Sequence, residues 1–158
     1  MDRVRKALAT LLVPDRVLDL PTGEGKKDAV MRLGRIACQA AGVHADHAKA
    51  VLDALWDREQ ILSTGIGLGI AVPHVRHANV PREAMVVGRS RGGMPFDAID
   101  GKPVHAVFTI LMPAGDNRRH VEVLGAIATT LKDPARRDDV FQAADAATFV
   151  HRMLGTGS

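Results

Sequence analysis

Val104-His105-Ala106-Val107-Phe108-Thr109-Ile110-Leu111-Met112, followed by Pro113, is the stretch that sets the fold class. β-Branched and aromatic residues dominate it, and proline closes it, as expected of a strand. After His105 the usual alternation of apolar and polar positions disappears. Val107 and Leu111 fall on one face of the pleat, Phe108 and Ile110 on the other, and both faces are apolar. Such a strand must be covered from both sides, so it belongs inside a sheet with helices packed above and below.

Working outward, residues 84–88 form a second strand with only a loop before the first, and 16–20 a short third one ended by Pro21-Thr22-Gly23. The spacing of Val30, Leu33, Ala37, Ala40 and Ala41 predicts a helix over 27–41, with Gly42 where a left-handed cap stops it. A helix over 45–58 turns Val51, Leu52, Leu55 and Trp56 inward. Beyond Pro113, a helix over 117–132 buries Leu124, Ile127 and Leu131. Asp133-Pro134 caps and opens a short helix, and Asp145 opens a last one that closes at Gly155. The expected fold is α/β: a single-domain sandwich over residues 1–158, with a small mixed β-sheet flanked by helices on both faces.

Composition narrows the function classes. Of 158 residues, 46% are apolar but only 3% aromatic, with no Tyr and one Trp, so aliphatic side chains build the core. The formal charge is +3, yet Lys and Arg are interspersed with Asp and Glu. Without a basic face or aromatic platforms for stacking bases, nucleic acid is not the expected partner. Cys38 stands alone in an apolar helical stretch, which excludes an intrachain disulfide and predicts a buried, inert thiol in a reducing, cytoplasmic setting. The apolar run from Ala7 to Val13 is short and broken by Pro14. It reads as neither a secretory signal nor a membrane insertion.

The chemistry concentrates in REQILSTGIGLGIAVPHVRH, Arg58 to His77. Gly65, Gly67 and Gly69 recur at every second position, which is not the dinucleotide fingerprint, and no Gly-Lys-Ser/Thr follows, so no nucleotide phosphate loop is expected. His74 follows an apolar run and Pro73, placing it at the rim of the sheet, partly exposed. His120 shares a helical stripe with Leu124, Ile127 and Leu131 and so points inward or into a cleft. It lies in the helix's first turn, where backbone N–H groups and the dipole favour an anion. Taken singly, each histidine remains open to a purely structural role.

The chain resembles the enzyme IIA proteins of the phosphoenolpyruvate-dependent phosphotransferase system, of the fructose, mannitol and nitrogen-regulatory type. Arg58-Glu59, the STGIGLGIAVPH run from Ser63 to His74, FDAIDGKPV from Phe96 to Val104, FTILMPAGD from Phe108 to Asp116, and His120 carry the likeness, which extends from about residue 15 to 154. The STGIG and FDAID wording is most similar to the nitrogen-regulatory branch. The resemblance implies a phosphotransferase that forms a phosphohistidine at His74, with Arg58 and His120 as neighbours in the site. It implies an HPr-like phosphocarrier, or a nitrogen-branch paralogue of it, as donor, and a sugar-specific IIB component or a regulated protein as the next partner. The sequence departs from the family pattern at Val75, where a small residue is expected and Val would narrow access to His74, and at His105, where Asp is common.

These residue types suit the reaction. A neutral imidazole, with an ordinary pKa of about 6.5, can attack phosphorus at cytoplasmic pH. Arg58 offers a fork of donors for the equatorial oxygens, and His120 a further donor. A phosphohistidine donor needs no nucleotide, Mg²⁺ or other cofactor. Two other readings compete: a metal site from His44, His47, His74 and His77, which lacks a Cys pair or HExxH spacing, and an interaction module of the same fold that is not phosphorylated. The retention of Arg58, His74 and His120 together argues against the latter. For docking, the glycine-rich segment is expected to leave some of Ile66, Leu68 and Ile70 outward, joined by Met94 and Phe96.

Overall fold

The computed structural model describes residues 2–61, 63–115 and 118–156. Its sheet is assembled around the apolar strand ended by Pro113. The strands are β1 (Val17–Asp19), β2 (Gly65–Gly67), β3 (Ile70–Ala71), β4 (His74–His77), β5 (Ala84–Met94) and β6 (Val104–Pro113). Their spatial order is β1-β5-β6-β3-β2, with β4 pairing along β6 beyond β3. β1 runs parallel to β5, β5 antiparallel to β6, and β3 and β4 both parallel to β6, which makes the sheet mixed.

Both faces of β6 are covered, which is why it carries no polar alternation. Phe108, Ile110 and Met112 join a core with Leu8, Val123, Ile127, Leu131 and Phe149. Val107 and Leu111 join a second core with Leu33, Ala37, Val51 and Leu55. The first core is closed by α1 (Arg3–Ala9), α4 (Arg118–Leu131), α5 (Pro134–Phe141) and α6 (Ala146–Leu154), the second by α2 (Lys26–Ala41) and α3 (Ala45–Ile61).

The capping residues act where local chemistry places them. Gly42 and Gly155 end α2 and α6 at φ +75° and +67°, a conformation that costs glycine little. Asp133 and Asp145 accept the N–H groups of Arg136 and Thr148. The start of α4 expected at Asn117 lies outside the described residues; the helix is described from Arg118. β5 continues past 88 to Met94, through polar and glycine residues that read as loop. Its register with β6 shifts between Arg89 and Met94, near Gly93 at φ +87°. Arg89, almost fully buried there, holds Asp19 of β1 through Nε (2.8 Å) and donates from Nη1 to the Ala143 carbonyl (2.7 Å), tying β1 to the α5–α6 connection.

Candidate active site

The last turn of α3 carries Arg58 and Glu59, and the chain then enters the β2–β3 hairpin. Gly67, Leu68 and Gly69 turn it with three consecutive positive φ angles, +87°, +62° and +76°. A side chain on Gly69 would also meet the Phe141 ring at 3.0 Å and the His105 ring at 3.2 Å, so this position needs glycine twice over. After β3, Pro73 interrupts the edge, and His74 opens β4 beside Ile110 of β6.

His74 is half-buried, and its Nδ1 lies 2.7 Å from the Val72 carbonyl oxygen. A carbonyl only accepts, so Nδ1 carries the proton and Nε2 keeps its lone pair. The His120 ring stacks beside it, with centroids 5.9 Å apart and planes 24° from parallel. His120 Nδ1 is buried and has no hydrogen-bond partner among the described residues. His74, Val75, Arg76, Ile110, Met112, His120 and Leu124 line one small cleft. Burial pushes the His74 pKa below the ordinary histidine value. The Val72 hydrogen bond opposes that shift, the charge of Arg58 and the neighbouring His120 add to it, and Glu59 opposes it. The imidazole is therefore held neutral, as a nucleophile must be.

All three residues singled out from the sequence meet here: the two rings side by side, and Arg58 close enough for its charge to act on His74. Val75 borders the same cleft, but its side chain is directed elsewhere. Successive strand residues point to opposite faces, and Val75 packs into the core beneath α2 and α3 while His74 faces the α4 side. His105 stacks on Phe141 (5.4 Å) and its Nδ1–H donates to the Ser90 carbonyl (3.1 Å). His44 and His77 accept backbone N–H groups from Asp46 and Asn79, and no group of three His, Cys, Asp or Glu side chains gathers among the described residues. Of the expected outward apolar residues, Ile66 and Leu68 are each 41% exposed, whereas Ile70, Met94 and Phe96 are buried. Ile70 sits on the core under α4, and Phe96 lies beneath Lys26, whose ammonium is 4.9 Å from its ring. Ile99, which is 84% exposed, takes their place next to Gly67.

The family described as "Phosphoenolpyruvate-dependent sugar phosphotransferase system, EIIA 2" matches residues 10–154. The chain belongs to the EIIA 2 family. It is 36% identical over 118 residues to the fructose-specific EIIA component of Haloferax volcanii, covering 75% of each chain. To the nitrogen regulatory protein of Pseudomonas aeruginosa it is 32% identical over 147 residues, covering 93% of this chain and 94% of that one. The crystal structure of the nitrogen regulatory protein IIA-Ntr from Neisseria meningitidis superposes with a TM-score of 0.83 at 28% identity, covering 92% and 98%. A match to the fructose-specific EIIABC component of Bacillus subtilis, 39% identical over 95 residues, spans only 15% of that longer protein.

One group in this EIIA 2 site escaped the sequence reading as a participant. Glu59 is a buried carboxylate that accepts the Thr64 N–H (2.8 Å) and a short bond from the Thr64 hydroxyl, and it pairs with Lys26 at 3.0 Å. Its signal was present: Glu59 continues the buried Val51–Leu55 stripe at the next i+4 position, where an apolar residue belongs. No helix among the described residues is long and apolar enough to cross a membrane.

Proposed function

We propose that this EIIA 2 protein accepts a phosphoryl group on Nε2 of His74 from a phosphorylated HPr-like carrier. It then passes the group to a sugar-specific IIB component or reports it to a regulated protein. The observation that carries this reading is the Nδ1–H bond to the Val72 carbonyl, which leaves Nε2 as the unprotonated nitrogen next to His120. In the transfer, the Nε2 lone pair forms the new P–N bond as the donor's P–N bond breaks, and the electron pair returns to the donor nitrogen. Nδ1 keeps its proton throughout. The ring becomes cationic, which strengthens its bond to Val72. Arg58 and His120 disperse charge on the equatorial oxygens.

The chain works as one domain in the cytoplasm. The donor meets it through a modest, transient interface of under ~1,200 Å², with Ile66, Leu68 and Ile99 offering apolar area on the segments next to the site. The alternative of an unphosphorylated interaction module drew its support from Val75, which packs away from His74. Incubation with phosphoenolpyruvate, enzyme I and HPr should add one acid-labile phosphoryl group, and His74→Ala should take none. Stoichiometric labelling of His74→Ala would refute the assignment.

A further inference from the structure

The structure assigns Glu59 as a positioning residue that holds His74 in its Nδ1–H tautomer; the consequence for transfer rests on the reading of His74 as phosphoryl acceptor. The Glu59 side chain has no exposure to solvent, and a carboxylate in that position is costly unless its partners are specific. An apolar side chain would extend the Val51–Leu55 stripe without that cost, so the carboxylate calls for an explanation beyond packing. Its contacts supply one. Glu59 fixes Thr64 at two points, the backbone N–H and the hydroxyl, while Lys26 of α2 anchors the carboxylate from the other side.

Thr64 is the residue on which the nucleophile's support hangs. Its carbonyl accepts the Val72 N–H at 3.0 Å, and the Val72 carbonyl accepts the His74 Nδ1–H at 2.7 Å. Lys26, Glu59, Thr64, Val72 and His74 thus form an unbroken series of polar contacts from two helices to the imidazole. The series acts by placement: moving Thr64 moves Val72, and with it the acceptor that selects the tautomer. Glu59 also adjoins Arg58 on the last turn of α3. Pro73 contributes no N–H of its own to hold this segment. The interruption between β3 and β4 is held by the Thr64 contact on Val72 and by the Ile110 N–H donated to the Pro73 carbonyl at 2.9 Å.

The test reads ¹⁵N shifts of the His74 ring in the unphosphorylated protein at a pH where the ring is neutral. Wild type should show Nδ1–H alone. Glu59→Gln, and Thr64→Val to a smaller extent, should populate the Nε2–H tautomer. The rate of phosphoryl acceptance should fall on the order of 10-fold to 100-fold with Glu59→Gln, as small misplacements of reacting groups do. If Glu59→Gln folds poorly, the double variant Lys26→Met/Glu59→Met replaces the buried pair with apolar side chains of similar volume and restores packing, yet should still mix the tautomers. A single Nδ1–H tautomer retained in the folded Glu59 variants would overturn the assignment. Because the tautomer is read without phosphorylation, it decides the role of Glu59 even if wild type accepts no phosphoryl group, a result that would instead refute the acceptor reading.

Discussion

Val75→Gly introduces the small residue expected after the proposed acceptor histidine and separates obstruction from packing. Val75 is half-buried against the core beneath α2 and α3. Removing three carbons at about 0.8 kcal/mol each, scaled by half for partial burial, costs about 1.2 kcal/mol. Glycine within a strand adds about 0.5–1 kcal/mol through backbone entropy. The sum, about 2 kcal/mol, corresponds to a melting temperature lower by about 4–8 °C for a domain of this size. Because the side chain faces away from His74, the rate of phosphoryl acceptance should stay within about threefold of wild type, a barrier change below about 0.7 kcal/mol. Melting by circular dichroism and labelling from phospho-HPr measure the two quantities. A rate raised more than about tenfold would show that Val75 does stand over the nucleophile, and an unchanged melting temperature would show that it packs on nothing.

The remaining predictions follow from single contacts. His120→Ala should slow acceptance by about 10²–10³ while costing little stability, since its Nδ1 makes no bond among the described residues to lose; a large fall in melting temperature at an unchanged rate would make it structural. The His74 pKa is depressed by burial, so between the ordinary value of about 6.5 and the folded value the unfolded chain binds more protons. Stability tied to this group is therefore complete above about pH 6.5, declines as pH falls through that window, and levels off below the folded pKa. His74→Gln should remove that part of the slope, and identical stability–pH curves for both proteins would contradict the shift. Arg89→Met should leave the buried Ala143 carbonyl unpaired and cost about 1–3 kcal/mol in urea denaturation, with the acceptance rate close to wild type. An unchanged midpoint would mean the Asp19–Arg89–Ala143 bridge contributes nothing.

The parts of the fold legible in the sequence are those where one residue type has one use. β6 could be placed because two apolar faces admit only one location, and α2, α5 and α6 because glycine or aspartate marks their ends. The far half of β5 was not legible, since Ser90, Arg91, Gly92 and Gly93 carry no strand pattern and lie in the register break between the Arg89–Ala106 and Met94–Val104 pairs. The same is true of α1, whose short apolar run gains its stability from the core it caps. In the site, His74 and His120 stood out by motif and stripe. Their stacking and the bond to Val72 depend on how the chain passes Pro73, which no spacing encodes. Glu59 was visible as a charge on an apolar stripe, but Lys26, remote in the chain, makes sense of it only once α2 and α3 are packed. Ile70, Met94 and Phe96 were expected outward because the glycine-rich segment looked open. The hairpin instead folds Ile70 onto β6, and Met94 and Phe96 sink into the core under α2 and α3.

The position of the phosphoryl group on the imidazole tests the central claim most directly. The protein, ¹⁵N-labelled at histidine, is phosphorylated from phosphoenolpyruvate through enzyme I and HPr, and ³¹P–¹⁵N correlation identifies the bonded nitrogen. The geometry predicts phosphorus on Nε2 of His74, with Nδ1 still protonated and bonded to the Val72 carbonyl. Phosphorus on Nδ1 of His74, or on His120, would contradict it.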